Sequence, residues 1–349
     1  MKKLIPLFLT LSIFLIGCNN VQKKHPPRFD VEKAPAPLFR DPVFDGAADP
    51  SVLWNQETGE WWIFYTQRRA SRVFNNVAYC YGTAVGIVVS SDYGETWEYR
   101  GTAKLPAINS GNDTFWAPQV MYDAKNDTYH MFVTYINGIF SNWGGEREMH
   151  HYISNDLKTW KSTKSIGTEG CIDAMVYPLH NGTWKMWYKD EQNGHYIASA
   201  ISDNLIDWKH LGKIEIDNRH SEGPTVFEWK GKYWMVTDPT YVERTGLDVF
   251  SSEDAINWEF NNTILNNEGM RNDDNEQGRH ADVKIVDDRA FIFYMTHPGR
   301  IYKDGTEVDE TNLVRYQRSS LQMAELEYQD RKIVCNRNKY LLQKPYNKN

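Results

Sequence analysis

The sequence predicts an all-β chain, a five-bladed β-propeller built from four-stranded antiparallel blades. Three observations predict it. Five short segments, at intervals of 67, 57, 49 and 58 residues, each open with a polar or aromatic residue and run into an apolar strand. Each is followed by a polar turn and a second, aromatic-rich strand. A Ser-Asp-…-Trp turn recurs after the third strand of each of the first four units.

The five starts are Asp49 in Ala48-Asp49-Pro50-Ser51-Val52, Trp116 in Trp116-Ala117-Pro118-Gln119-Val120, Asp173 in Ile172-Asp173-Ala174-Met175-Val176, Glu222 in Ser221-Glu222-Gly223-Pro224-Thr225-Val226, and His280 in His280-Ala281-Asp282-Val283. The second strands run through Trp61–Tyr65, Tyr129–Val133, Trp184–Tyr188, Tyr233–Val236 and Phe291–Tyr294. Turn residues such as Glu57-Thr58-Gly59, Asn181-Gly182 and Asp287-Asp288 separate them from the first strands, as hairpins require. The third strands end in Ser90–Trp97, Ser154–Trp160, Ser202–Trp208 and Ser252–Trp258. There Ser and Asp oxygens can bond nearby backbone amides and the Trp can pack between sheets. Three strands and a return strand make a propeller blade. The fifth unit lacks the Ser-Asp-Trp turn, and its outer strands are expected near Leu321–Leu326 and Lys332–Cys335. Helical periodicity is nearly absent, and the sequence leaves open which terminus closes the ring.

Of the 349 residues, 41% are hydrophobic, enough for a sizeable core, and the net charge of −7 argues against a nucleic-acid partner. Lys2 and Lys3 precede an apolar stretch, Leu4 to Ile16, that is too short to span a bilayer but suits a signal peptide. It ends in Leu15-Ile16-Gly17-Cys18, which resembles a bacterial lipobox and implies cleavage before Cys18 and a lipid on its thiol. With Asn19 next, the resemblance favours an outer-membrane lipoprotein facing the periplasm or the cell surface, attached to the membrane only through that lipid. The expected organisation is a signal peptide over 1–18, a tether over 19–39 and a propeller over 40–345. Cys80, Cys171 and Cys335 show no CxxC or zinc spacing and are expected as small hydrophobes.

In a propeller the starts of the innermost strands and the loops after the second strands share one face. That face gathers Asp49, Trp116, Asp173, Glu222 and His280. Its rim is expected to hold Gln67, Arg68, Arg69, Asn137, Asp190, Glu191, Asp238 and His297. Three carboxyl groups aimed at one point suit glycoside hydrolysis. One protonates the leaving oxygen, a second activates water or attacks the sugar, and a third adjusts the acid's pKa by repulsion. A single strand-start acid would more simply bond turn amides.

These motifs, in this order and at blade spacing, resemble glycoside hydrolase family 43 over nearly the whole mature chain. The resemblance implies that Asp49 is the general base, Asp173 the pKa modulator and Glu222 the general acid. It implies inversion at the anomeric carbon, exo action on oligosaccharides derived from plant or algal polysaccharide, and no required cofactor. His280 resembles the central-channel histidine that in many relatives helps hold a hydrated, structural calcium ion through waters. Ala174 stands after Asp173 where the family often has Pro. Arg68 and Arg69 suit a carboxylate or sulfate on the substrate, and Trp116 a sugar-stacking face. The acidic loop Asn272–Glu276 lacks calcium-loop spacing and reads as solvated.

Three alternatives stand beside this reading. The related family 117 cleaves 3,6-anhydro-L-galactose from agar oligosaccharides with a histidine implicated as acid, and His220 lies two residues before Glu222. Ser90–Trp97 matches the sialidase Asp-box, but sialidases resemble six-bladed propellers with an arginine triad. A surface lipoprotein that binds glycan without cleaving it would need no intact acid–base set.

Overall fold

The computed structural model describes residues 25–109, 111–163, 165–167, 169–216, 219–240 and 245–341. The expected signal peptide, Cys18 and residues 19–24 of the expected tether lie outside them. Strand order follows chain order in every sheet, as hairpin-connected strands dictate. The first blade comprises β1 (Ala47–Asn55), β2 (Glu60–Gln67), β3 (Ala84–Ser90) and β4 (Glu98–Thr102). The second comprises β5 (Asp113–Asp123), β6 (Thr128–Asn137), β7 (Arg147–Ser154) and β8 (Lys161–Ser162). The third is built from β9 (Cys171–Pro178), β10 (Trp184–Asp190), β11 (Tyr196–Ser202) and β12 (Lys209–Ile214). The fourth is β13 (Ser221–Trp229), β14 (Lys232–Pro239), β15 (Leu247–Ser252) and β16 (Glu259–Ile264). In the fifth, β17 (Arg279–Val286) and β18 (Arg289–Thr296) are followed by an insertion. It carries the small hairpin of β19 (Tyr302–Lys303) and β20 (Thr306–Glu307) and the one-turn α1 (Val314–Gln317). The blade then resumes with β21 (Ser320–Gln329) and β22 (Lys332–Cys335). All five sheets are four-stranded and antiparallel, and the fifth blade's outer strands fall where the sequence placed them.

The core lies between blades. Trp62, Phe64, Val120 and Met131 join the first two blades; Phe132, Met149, Met186 and Ala200 join the next pair. Trp187, Met235 and Phe250 continue the ring, followed by Trp234, Val249, Ile292 and Tyr294. Each junction removes two alternating strand faces from water, which is why both faces of these strands are apolar. The repeated turns seat one Trp in each of four of the five junctions. In the first, Ser90 Oγ accepts the Gly94 amide at 2.9 Å and Asp92 Oδ1 accepts the Thr96 amide at 2.9 Å. The turn residues Tyr93, Leu157, Leu205 and Ala255, each three after the Ser, all take positive φ. Trp160 is buried between the first and second blades.

The chain closes the ring with its N-terminal segment, which corrects the expected tether over 19–39. Phe29, Val31, Ala34, Leu38 and Phe39 are buried between the first and fifth blades against Trp61, Phe291 and Leu321. Leu38 N donates to Leu321 O (2.8 Å), and Leu321 N to Phe39 O (2.9 Å). No strand is exchanged between ends, because each blade is complete in sequence; the segment fills the last wedge instead. The prolines of this stretch mask an apolar pattern in sequence. The acidic loop is corrected as well. Asp274 and Glu276 are fully buried, Asp274 held by Arg271 (2.8 Å) and Arg337 (3.0 Å), and Glu276 by Arg279 (3.1 Å). Ion pairs with Arg271 and Arg279, each three residues away, and with the distant Arg337 remove these acids from water. Cys80, Cys171 and Cys335 are not in disulfides; the first two are buried and Cys335 is half-buried.

Candidate active site

Every innermost strand carries a β-bulge at the same level. The residues that take positive φ there are Asp49, Ala117, Asp173, Gly223 and His280. For a residue other than glycine this conformation costs roughly 1 kcal/mol, and four of the five sites bear that cost. The fivefold equivalence therefore differs by one residue from that inferred from sequence. In two blades the bulge residue is Ala117 or Gly223, not Trp116 or Glu222. Trp116 and Glu222 occupy the preceding position, opposite Thr134 and Asp238 on the second strands. Two carboxylates, Asp49 and Asp173, sit on the bulges, and Glu222 reaches the same centre on its longer side chain.

His280 gathers them. Its Nδ1 lies 3.6 Å from Asp49 Oδ1 and 4.0 Å from Asp173 Oδ2. A Cβ on Gly223 would stand 2.8 Å from the same nitrogen, so glycine is required there for space as well as for φ. Second-strand side chains tie three of the bulges to the blade before. Ala117 N donates to Thr66 Oγ1 (2.8 Å), Asp173 N to Thr134 Oγ1 (3.2 Å) and His280 N to Asp238 Oδ2 (3.2 Å). In the third blade this position is Lys189, which has no acceptor. The Gly223 amide donates to Asp173 Oδ2 instead (3.1 Å), while Lys189 Nζ reaches Glu222 Oε2 at 2.8 Å. Lys189 was not singled out from the sequence. Its equivalence to Thr66, Thr134 and Asp238, polar residues at one register position, is the signal that would have found it.

The charges are arranged unevenly. Burial would raise the Asp49 carboxyl, but Arg68 (3.0 Å) and His280 outweigh it and hold it below the usual carboxylate range. Asp173, buried and faced by Glu222 and Asp49, is pushed up to about 7 despite His280. Asp238, buried near Glu222, is likewise raised to about 7. Burial also acts to raise Glu222, but Lys189 outweighs it and lowers this carboxyl. Burial would lower His280, yet the four surrounding acids raise it. The surroundings thus favour the anion at Asp49 and Glu222, the protonated form at Asp173 and Asp238, and the cation at His280. The Glu222 side chain is 34% exposed and that of Asp173 8%, so Glu222 is the more open of the two.

Other expected ligand residues are placed differently. Arg68 is turned inward: Nη2 contacts both Asp49 oxygens (3.0 and 3.2 Å), and Nη1 lies 3.4 Å from His297 Nε2. Burial and three arginines keep His297 neutral, so it accepts from Arg68 through Nε2 and donates through Nδ1 to Arg318 O (2.9 Å). His297 is buried and positions Arg68. Arg69 holds its own loop, donating to Tyr81 O (2.6 Å) and Ala78 O (2.8 Å). Trp116 is 9% exposed, capped by Tyr81, and its Nε1 donates to Cys80 O (2.6 Å). The exposed indole of this region is Trp143, 62% exposed and 6.0 Å from Trp116. His220 is exposed on the rim beside Tyr196 (4.9 Å). Among the described residues no group of three or more His, Cys, Asp and Glu is spaced to hold a metal ion directly. His280 Nδ1 faces Asp49 and Asp173, and the surrounding acids favour its charged form, which offers a metal no lone pair.

Comparison with known proteins agrees with the fold. A thermostable family-43 glycoside hydrolase superposes with a TM-score of 0.60 at 18% identity, over 85% of this chain and 95% of that one. A family-43 β-xylosidase/α-arabinofuranosidase from a compost microbial metagenome gives 0.62 at 12% identity, over 89% and 97%. An exo-β-1,3-galactanase from Phanerochaete chrysosporium gives 0.61 at 14% identity, over 83% and 63%. No curated protein matches the sequence. The profile of the BNR repeat-like domain matches residues 45–282, a span that contains all four Ser-Asp-Trp turns and all five bulges. The chain belongs to the BNR repeat-like domain family, in a five-bladed form.

Proposed function

We propose that the chain is an exo-acting, inverting glycoside hydrolase that removes a terminal sugar from oligosaccharides of plant or algal origin. The observation that carries the reading is the set of Asp49, Asp173 and Glu222 around His280, with their proton affinities driven apart. The family-43 fold of the structural neighbours supports it.

In this reading Asp49, kept ionised by Arg68, takes a proton from the attacking water as its oxygen bonds to the anomeric carbon. Glu222 gives a proton to the oxygen of the breaking glycosidic bond. The resting proton lies on Asp173, and Lys189 keeps Glu222 charged. Lys189 also lies 3.4 Å from Glu191, so a small shift of its ammonium toward Glu191 frees Glu222 to take that proton. Trp143 supplies a stacking face. Exo action fits the roof over one side of the mouth, where Gln317 Nε2 donates to Phe74 O (2.9 Å) across two insertions. Cys18 would carry the lipid that holds the enzyme at the outer membrane.

The test is sugar release from a panel of plant and algal oligosaccharides, with Asp49→Asn as control and the product anomer read by NMR. A product formed by the wild type and not by the variant, appearing first as the inverted anomer, supports the reading. Release that survives Asp49→Asn refutes Asp49 as base. Binding of a glycan without release points to a non-catalytic lipoprotein.

A further inference from the structure

The side of the mouth opposite the roof carries a groove of about 760 Å³ that crosses all four strands of the third blade. Its lining begins at Cys171 on β9, passes Asp190 on β10 and Tyr196 at the start of β11, and ends at His210 and Ile214 on β12. The opposite bank is Glu148 on β7 of the second blade. A second cavity of about 470 Å³, along Tyr135, Asn137 and Gly145, meets the groove at that residue. Three inter-strand steps give it a radial length of about 14 Å. Its inner end lies two residues from Asp173 and one from Lys189, so it runs outward from the acid side of the site.

We propose that this groove binds the part of the substrate beyond the cleaved bond, as a neutral oligosaccharide chain of several units. The inference rests on the glycosidase reading and adds the direction and charge of the substrate. The direction follows from position: the groove begins at Cys171, Tyr188 and Asp190, the chain neighbours of Asp173 on β9 and of Lys189 on β10, whereas Asp49 and Arg68 stand on the roofed side. The charge follows from the lining. Carboxylates of Glu148, Glu169 and Asp190 face one ammonium, Lys213, so a sulfated or uronic chain is repelled. The arginines that suited an anionic sugar are consumed, Arg68 by Asp49 and Arg69 by backbone carbonyls. The groove itself offers what a neutral sugar uses: the Tyr196 ring, a Tyr188–His210 hydrogen bond (2.9 Å) and the exposed amide side chains of Gln192 and Asn193.

The test is calorimetric binding to the full mature chain carrying Asp49→Asn, which stops turnover. The probes are xylobiose and xylotetraose, the di- and tetrasaccharide of β-1,3-galactan, and tetragalacturonate. Tyr196→Ala and His210→Ala, both at solvent-accessible positions, are made in the same background. The expected result is that one neutral tetrasaccharide binds about tenfold more tightly than its disaccharide. Either groove variant should remove that preference and leave disaccharide affinity unchanged. The proposal is overturned if no neutral chain shows a length preference, if the preference survives both variants, or if tetragalacturonate binds as well as the neutral chains. The two readings fail separately. Sugar release by the wild type without length preference sinks the groove alone. A chain held in the groove but never cleaved by the wild type sinks the glycosidase reading alone.

Discussion

The mouth of the propeller has two unlike sides. Between the fifth and first blades, the insertion that carries β19, β20 and α1 lies against residues 70–81. Glu307 is the hub of this roof. It pairs with Arg279 (3.1 Å) and Arg300 (3.2 Å) and accepts from the hydroxyls of Tyr302 and Tyr316. Between the second and third blades no such insertion covers the described surface, and the groove runs to the edge. The roofed side holds Asp49 through Arg68; the open side holds Glu222 through Lys189. The difference teaches how one ring of near-equal blades becomes a directional site. Blade repetition supplies the shared geometry, and unequal loops decide where a chain can lie.

The largest effect is expected on the roofed side's own carboxylate. Asp49→Asn should lower kcat by about 10³-fold or more with the fold unchanged, read as initial rates beside circular dichroism. Residual activity within tenfold of wild type would mean that the water is activated elsewhere.

Next comes the roof. Glu307→Gln leaves Arg279 and Arg300 buried without their shared anion, a loss of about 3 kcal/mol by analogy with other buried pairs. The melting temperature should fall by several degrees, and cleavage inside a chain should begin to accompany terminal release. An unchanged product pattern would show that the roof stabilises without setting exo action.

On the open side, Lys189→Met removes the cation that lowers Glu222. The Glu222 carboxyl should then titrate higher, and the alkaline limb of kcat should move to higher pH. Movement of the acidic limb alone would assign Lys189 to the base. The same variant should lose less stability than Glu307→Gln, because Glu222 is partly exposed and can take a proton.

The smallest effect concerns Asp173, whose folded pKa of about 7 lies above its ordinary value. The folded state binds the extra proton, so this group's contribution is complete below about pH 4 and is lost as pH rises through about 7. Asp173→Asn should therefore flatten the pH dependence of stability between these values, making the variant relatively more stable at pH 8. Denaturant unfolding at pH 5 and pH 8 measures it; an unchanged slope would mean Asp173 is ionised throughout.

Much of the fold was legible because its cause is local and repeated. Second strands such as Trp61–Tyr65 and turns such as Ser90–Trp97 announce a blade from their own residues, and five copies announce a ring. The site was legible in part. Asp49, Asp173, Glu222 and His280 do meet, but Glu222 was aligned one position out, because a bulge changes strand register without marking the sequence. Lys189 was hidden among the alternating residues of a second strand. Trp116 proved to be packed and His297 to be a buried partner of Arg68, since burial depends on which loop covers them.

The sequence by itself determined the blade count, the blade repeat and the carboxyl set, since alternation, turn chemistry and residue type act over a few neighbours. Only the tertiary structure decided that Phe29–Phe39 seals the ring, that Arg68 serves Asp49, that Lys189 holds Glu222, and which side of the mouth is open. Those outcomes depend on contacts between residues far apart in the chain. The energy of a charge or a ring in such contacts is set by what surrounds it after folding, which no local stretch of sequence records.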